Sequence, residues 1–160
     1  MYNCTRIISV ASLDKEIKQL NFASENIKAN LNILFTANWL HNKISATLKP
    51  FNVTHEQFNV LRILRGSHPK RMCQKDILSR MISPSSNVTL LIKKLIEKEF
   101  VFVVLSDKDK REYVINITAT GLKLLKLIDK ELDKRKVEMT KLSESEAFHL
   151  NALLDKIRTE

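Results

Sequence analysis

The sequence predicts a mainly α fold with a small β-hairpin wing: a winged helix-turn-helix core flanked by N- and C-terminal helices. Three observations carry this. Glycine and proline are scarce, 2 and 3 in 160 residues, too few for a sandwich or barrel with many tight turns. Apolar residues recur at helical spacing along most of the chain. One segment, residues 83–118, breaks that pattern: a helical repeat gives way to two β-rich runs around a charged turn.

In that segment Ser83 is suited to cap a helix whose first position is Pro84, where a missing N–H costs nothing. Val88, Leu91, Ile92, Leu95 and Ile96 supply its apolar face. Phe100 to Leu105 and Tyr113 to Ile117 read as strands, and the intervening DKDKR is too polar to bury and suits a solvated hairpin tip.

Upstream, residues 1–11 carry no clear pattern. Ser12 is placed to cap a short helix over Leu13 to Asn21. A second helix starts after Ser24 and runs to Leu48, with Ile27, Leu31, Leu34, Phe35, Ile44 and Leu48 on its apolar face. At 1.5 Å per residue it is about 36 Å long, more than a small winged lobe covers, so part of the face needs a second layer or a partner. Pro50 ends it. Thr54 and Gln57 form a capping box for a helix driven by Phe58, Val60, Leu61 and Leu64 and stopped at Gly66. Residues 67–71 are a loop, and Gln74 to Met81 is a short helix with Ile77, Leu78 and Met81 inward. Downstream, Thr118 caps a helix patterned by Leu122, Leu124, Leu125, Ile128 and Leu132. Ser143 and Glu146 open a last one with Ala147, Leu150, Leu153, Leu154 and Ile157. These outer helices have broad apolar faces and no chemistry, so their simplest use is an interface between two copies of the chain.

The expected organisation is an N-terminal arm (1–23), a helical dimerisation region (24–49 and 119–160) and a winged lobe (50–118). The formal net charge is +9. Residues 67–111 hold 10 Lys/Arg against 5 Asp/Glu, while residues 112–160 hold 9 of each. The excess concentrates on the helix and hairpin of the winged lobe, which points to a phosphate-binding face rather than a uniformly solvated surface. Cys4 and Cys73 make neither a metal-ligand spacing nor a disulfide framework, and a reducing cytoplasm is the expected compartment. The N-terminus has no long apolar stretch, and no run approaches the length of a membrane span, so neither a signal peptide nor a membrane partner is expected. No Gly-rich phosphate loop, HExxH or GxSxG is present, and the four histidines are scattered; no enzymatic activity and no cofactor or metal is expected.

Four motifs then resemble the MarR-type transcription regulators across about residues 25–158. VTHEQFNVLRIL (53–64) is similar to that family's second helix, and CQKDILSRM (73–81) to the helix before its recognition helix. SSNVTLLIKKLIEKEFV (85–101) is similar to the recognition helix and its exit. DKDKREYVINITATGLKLL (107–125) is similar to the wing and the segment after it.

The resemblance implies a homodimer that binds a palindromic operator in double-stranded DNA. Its recognition helices would enter major grooves and its wings the flanking minor grooves. Ser85, Ser86, Asn87 and Thr89 at the helix start become candidates for base or phosphate contact, and Lys93 and Lys94 for phosphates. Lys108, Asp109, Lys110 and Arg111 form the candidate wing contact, with Asp109 orienting Arg111. Phe35, Trp39 and His41 are candidates for a cleft admitting a small aromatic or phenolic ligand, which would make the chain a ligand-responsive repressor. The chain departs from the family pattern at Leu90, Val103 and Lys110, where arginine is usual, and at Glu99, where glycine is usual. The lost donors define an alternative: a winged-helix dimerisation and protein-interaction module with weak or no operator specificity. Oxidant sensing through Cys4 or Cys73 is a third reading.

Overall fold

The computed structural model describes residues 12–83, 87–106, 111–135 and 141–159. Its contacts divide the chain between Leu40 and His41 into two units, a boundary that falls inside one continuous helix.

In the first unit α1 spans only Leu13–Glu16, shorter than the helix expected to Asn21. Ser12 gives no side-chain cap, and Lys18 at φ 54° turns the chain into the left-handed region, which ends helical propagation. Helix α2, Glu25–Leu48, matches expectation. Ser24 Oγ accepts from the Ile27 N–H (3.2 Å), satisfying one of its open first-turn donors. Its apolar stripe is left in solvent at Ile27, Leu34, Phe35 and Trp39, with Leu34 67% exposed.

In the second unit Pro50 sits in a 3₁₀ turn, Lys49–Phe51, and Asn52 at φ 54° reverses the chain. Helix α3, His55–Ser67, opens with the expected capping box between Thr54 and Gln57. It runs through Gly66 to Ser67, and Gly66 has no positive φ, so the glycine is not the stop that its type suggests. Two residues, β1 (Met72–Cys73), then form a strand that the sequence reading missed. Helix α4, Gln74–Ser79, ends two residues before Met81. Helix α5, Val88–Glu97, starts later than Ser83 and Pro84 suggested: Asn87 is its cap, its Oδ1 accepting from Leu90 N–H (3.2 Å). Pro84 itself lies outside the described residues.

Strands β2 (Val101–Leu105) and β3 (Tyr113–Ile117) form the expected hairpin, but the sheet has three strands in the order β1-β3-β2, all antiparallel. Met72 pairs with Ile115 and Val101 with Ile117. Helices α6 (Ala119–Arg135) and α7 (Glu144–Ile157) follow, α7 behind the Ser143–Glu146 capping box.

The core of this unit joins α3, α4, α5, the sheet and α6 through Phe58, Leu61, Leu64, Ile77, Leu95, Ile115, Leu125 and Ile128. A fully buried leucine or isoleucine contributes about 1.5–3 kcal/mol, so this cluster fixes the helix and hairpin on one frame. Arg65 of α3 pairs with Asp129 of α6 beside it. Helix α7 has no buried residue, and its Phe148 is 72% exposed.

The exit of α5 is a Schellman turn: Phe100 N–H reaches Leu95 O (3.0 Å) and Glu99 N–H reaches Ile96 O (2.8 Å). The turn needs a left-handed residue, and Glu99 supplies it at φ 59°. A side chain in that conformation costs about 1 kcal/mol relative to glycine. Glu99→Gly is therefore expected to raise the unfolding free energy by about 1 kcal/mol, read from the shift in urea midpoint at unchanged slope.

Candidate nucleic-acid interface

The buried side of α5 is Val88, Ile92 and Leu95. Helical geometry then leaves Asn87, Thr89, Leu90, Lys93, Lys94 and Glu97 in solvent along the opposite side, and all six are exposed. The buried side anchors the helix, so the exposed one is presented rigidly.

Among the described residues, two hydrogen bonds tie the α4–α5 region together. Gln74 Nε2 donates to Thr89 Oγ1 (2.9 Å), joining the first residue of α4 to the exposed face of α5. Ile82 N–H donates to Asn59 Oδ1 (3.1 Å), fastening the turn to α3. Sequence reasoning did not find Gln74. Only the meeting of the two helix starts gives it a role, and no local pattern marks that.

At the hairpin, Ser106 N–H donates to Glu112 O (2.8 Å) and closes the neck of the wing. Arg111 is exposed directly beyond this pair. The structure thus brings Asn87, Thr89, Lys93 and Lys94 onto one helix and puts Arg111 at the neck of the hairpin behind it. Ser85, Ser86, Lys108, Asp109 and Lys110 lie outside the described residues, as does Cys4.

Cys73 is the N-cap of α4, its Sγ accepting from Asp76 N–H (3.4 Å). The backbone N–H of Asp76 pulls the thiol pKa down, but burial and the carboxylates of Asp76 and Glu112 outweigh it and leave the pKa raised. A thiol held protonated at neutral pH is a poor nucleophile, which argues for a capping role over oxidant sensing.

Of the candidate ligand residues, Phe35 and Trp39 are exposed on α2. His41 instead lines a cavity of about 700 Å³ between the end of α2, the start of α3 and the end of α5. Its ring stacks obliquely on His55, centroids 4.7 Å apart.

Helices α3, α4 and α5 with a three-stranded sheet and a hairpin neck carrying arginine define a winged helix-turn-helix, the fold of MarR-type regulators. The family model for the transcriptional regulators SarA/Rot matches residues 42–128, more than half of the chain, and the chain belongs to that family. Among solved structures, it is similar to a cysteine-to-serine variant of MarR from E. coli complexed with operator DNA. The TM-score is 0.73 at 18% identity, over 86% of this chain and 99% of that one. It is also similar to a protein from Bacillus cereus described as a MarR-like transcription regulator, at TM-score 0.72 and 19% identity, over 84% and 96% of the two chains. The S. aureus MepR–DNA complex gives TM-score 0.71 at 23% identity, over 80% and 94%. At these identities the likeness is one of fold. No curated protein matches the chain in sequence. No helix of the described residues is long and apolar enough to cross a membrane.

Proposed function

We propose that the chain is a homodimeric, sequence-specific DNA-binding regulator of the cytoplasm, acting as a ligand-responsive repressor on a palindromic operator. The observation that carries this is the exposed face of α5, with Asn87, Thr89, Lys93 and Lys94 on a helix whose other side is locked in the core. This helix is the one to enter the major groove. Asn87 and Thr89, with Ser85 and Ser86 before them, meet base edges or phosphates there, and Lys93 and Lys94 meet phosphates. Arg111 enters the minor groove with Asp109 orienting it, flanked by Lys108 and Lys110.

Dimerisation through the outer helices is supported by the apolar side chains that α2 and α7 leave in solvent: Leu34 and Trp39 on one, Phe148, Leu153 and Ile157 on the other. The similar MepR structure is a complex with DNA and the similar MarR structure a complex with operator DNA, which agrees with this assignment. The proposed effector is a small aromatic or phenolic molecule, with Phe35, Trp39 and His41 as its candidate contacts.

A second reading, a protein-interaction module, is favoured by Leu90, which puts an exposed apolar side chain in the middle of the DNA-facing surface. Fluorescence anisotropy on DNA from upstream of the chain's own gene, in a salt series, separates the two. With about six phosphates neutralised, log K falls against log salt with a slope near −5. Absence of binding at low salt, or binding indifferent to sequence, would favour the interaction module.

A further inference from the structure

The cavity near His41 lies wholly within the second unit and is lined by Lys49, Lys94 and Lys98, with His41 and His55 beside them. Glu56 is the single carboxylate on its wall among the described residues. Hydrogen bonds from its own backbone N–H and from Thr54 hold its pKa below the usual carboxylate range, so it keeps one negative charge there. Lys98 donates to the Asn52 carbonyl and, at 3.2 Å, to Gln57 Oε1, both neutral acceptors. Three lysines and two histidines thus line one cavity against a single carboxylate, which leaves a positive excess. Like charges gathered along one concave surface repel one another, and an anion relieves that repulsion.

We propose that this cavity is a binding site for a small organic anion carrying several carboxylate or phosphate groups, and that its occupancy is linked to α5 through Lys98. About 700 Å³ is ample for such a molecule, and the lining chemistry differs from the aromatic cleft expected from Phe35 and Trp39. Lys98 is the C-cap of α5, so its ammonium ties the end of the DNA-facing helix to the reversal at Asn52 between α2 and α3. An anion that draws this ammonium away from the Asn52 carbonyl loosens that tie. The link to DNA rests on the function proposed above, whereas binding of the anion does not.

Protons report the binding. Burial, followed by the neighbouring His41, pushes the His55 pKa down, with Glu56 opposing. The imidazole is therefore neutral at neutral pH in the empty site. His41, Lys49, Glu56, Lys94 and Lys98 are the charged and titratable groups around it. A bound anion favours the protonated ring, so protonation of His55 adds to affinity as the pH falls toward and below the ordinary imidazole value, against any charge that the anion itself loses.

The test is calorimetric titration of the full chain at constant ionic strength with citrate and, separately, glucose 6-phosphate. One saturable site is expected for at least one of them, and which one binds identifies carboxylate or phosphate as the preferred group. Lys49→Gln should weaken binding roughly tenfold. His55→Gln should flatten the pH dependence. No saturable binding of either anion, or binding by Lys49→Gln as tight as by the unaltered chain, overturns the site. With the unaltered chain on its operator, saturating anion should shift DNA affinity, and an unchanged affinity overturns the link to α5. A chain that binds no DNA even without anion refutes the proposed function instead, and calorimetry still decides the site.

Discussion

Replacing Gly121 by alanine is expected to lower the unfolding free energy by about 2–4 kcal/mol, because overpacking against fixed backbone is among the costlier single changes. A Cβ at this position would lie 2.4 Å from the Phe100 carbonyl oxygen and 2.8 Å from Ile117 Cγ1. The carbonyl cannot easily yield. It accepts from Thr118 N–H at 3.0 Å and from the Thr118 hydroxyl at 3.1 Å. Phe100 is also the closing residue of the Schellman turn that ends α5. The Thr118 hydroxyl in turn accepts from Gly121 N–H (3.0 Å), capping α6. One small residue therefore lets α6 pack against the junction of α5 and the wing. Urea unfolding measures the loss, and Gly66→Ala is the control. A Cβ at Gly66 meets nothing within 4 Å, and alanine is the better helix former, so that variant should gain about 0.5–1 kcal/mol. Equal effects at the two glycines would contradict the packing described at α6.

The largest functional effect is expected at Arg111. Its replacement by alanine should weaken operator binding by about 1–3 kcal/mol, roughly fivefold to 150-fold. The side chain is exposed at the hairpin neck, next to the backbone hydrogen bond between Ser106 and Glu112. Loss should be greatest on probes with A/T-rich flanks, whose narrow minor groove attracts arginine most strongly. Lys93→Ala, by contrast, should weaken binding uniformly across sequences and lessen the salt slope by about one. An Arg111→Ala protein that binds as tightly as the unaltered chain would remove the wing from the interface.

The fold was legible wherever local chemistry decides structure. Thr54–Gln57 and Ser143–Glu146 mark helix starts through reciprocal hydrogen bonds that depend only on residues three apart, and both capping boxes form. The β-branched runs at 101–105 and 113–117 pair as read, since alternation and hairpin closure are also local. What was not legible depends on distant partners. Strand β1 has two residues, too few to carry a pattern, and exists because Ile115 and Val114 offer an open edge. Ser83 is a good cap by type, yet Asn87 takes the position, because the buried repeat of α5 begins at Val88. Gly66 looked like a stop but is an ordinary helical residue, while Glu99 occupies the left-handed position where glycine would be expected. Within the site, the residues of α5 could be read from helical spacing. The Gln74–Thr89 bond and the basic cavity could not, since each is assembled from segments separated by 15 residues or more.

The central claim is that two copies of the chain place paired α5 helices and wings on one operator. Hydroxyl-radical footprinting of the full chain on DNA upstream of its own gene tests it most directly. The expected result is two protected half-sites centred about 34 Å apart, one helical turn, each flanked by minor-groove protection that Arg111→Ala removes. A single protected half-site, or uniform protection that vanishes with modest salt, would contradict it.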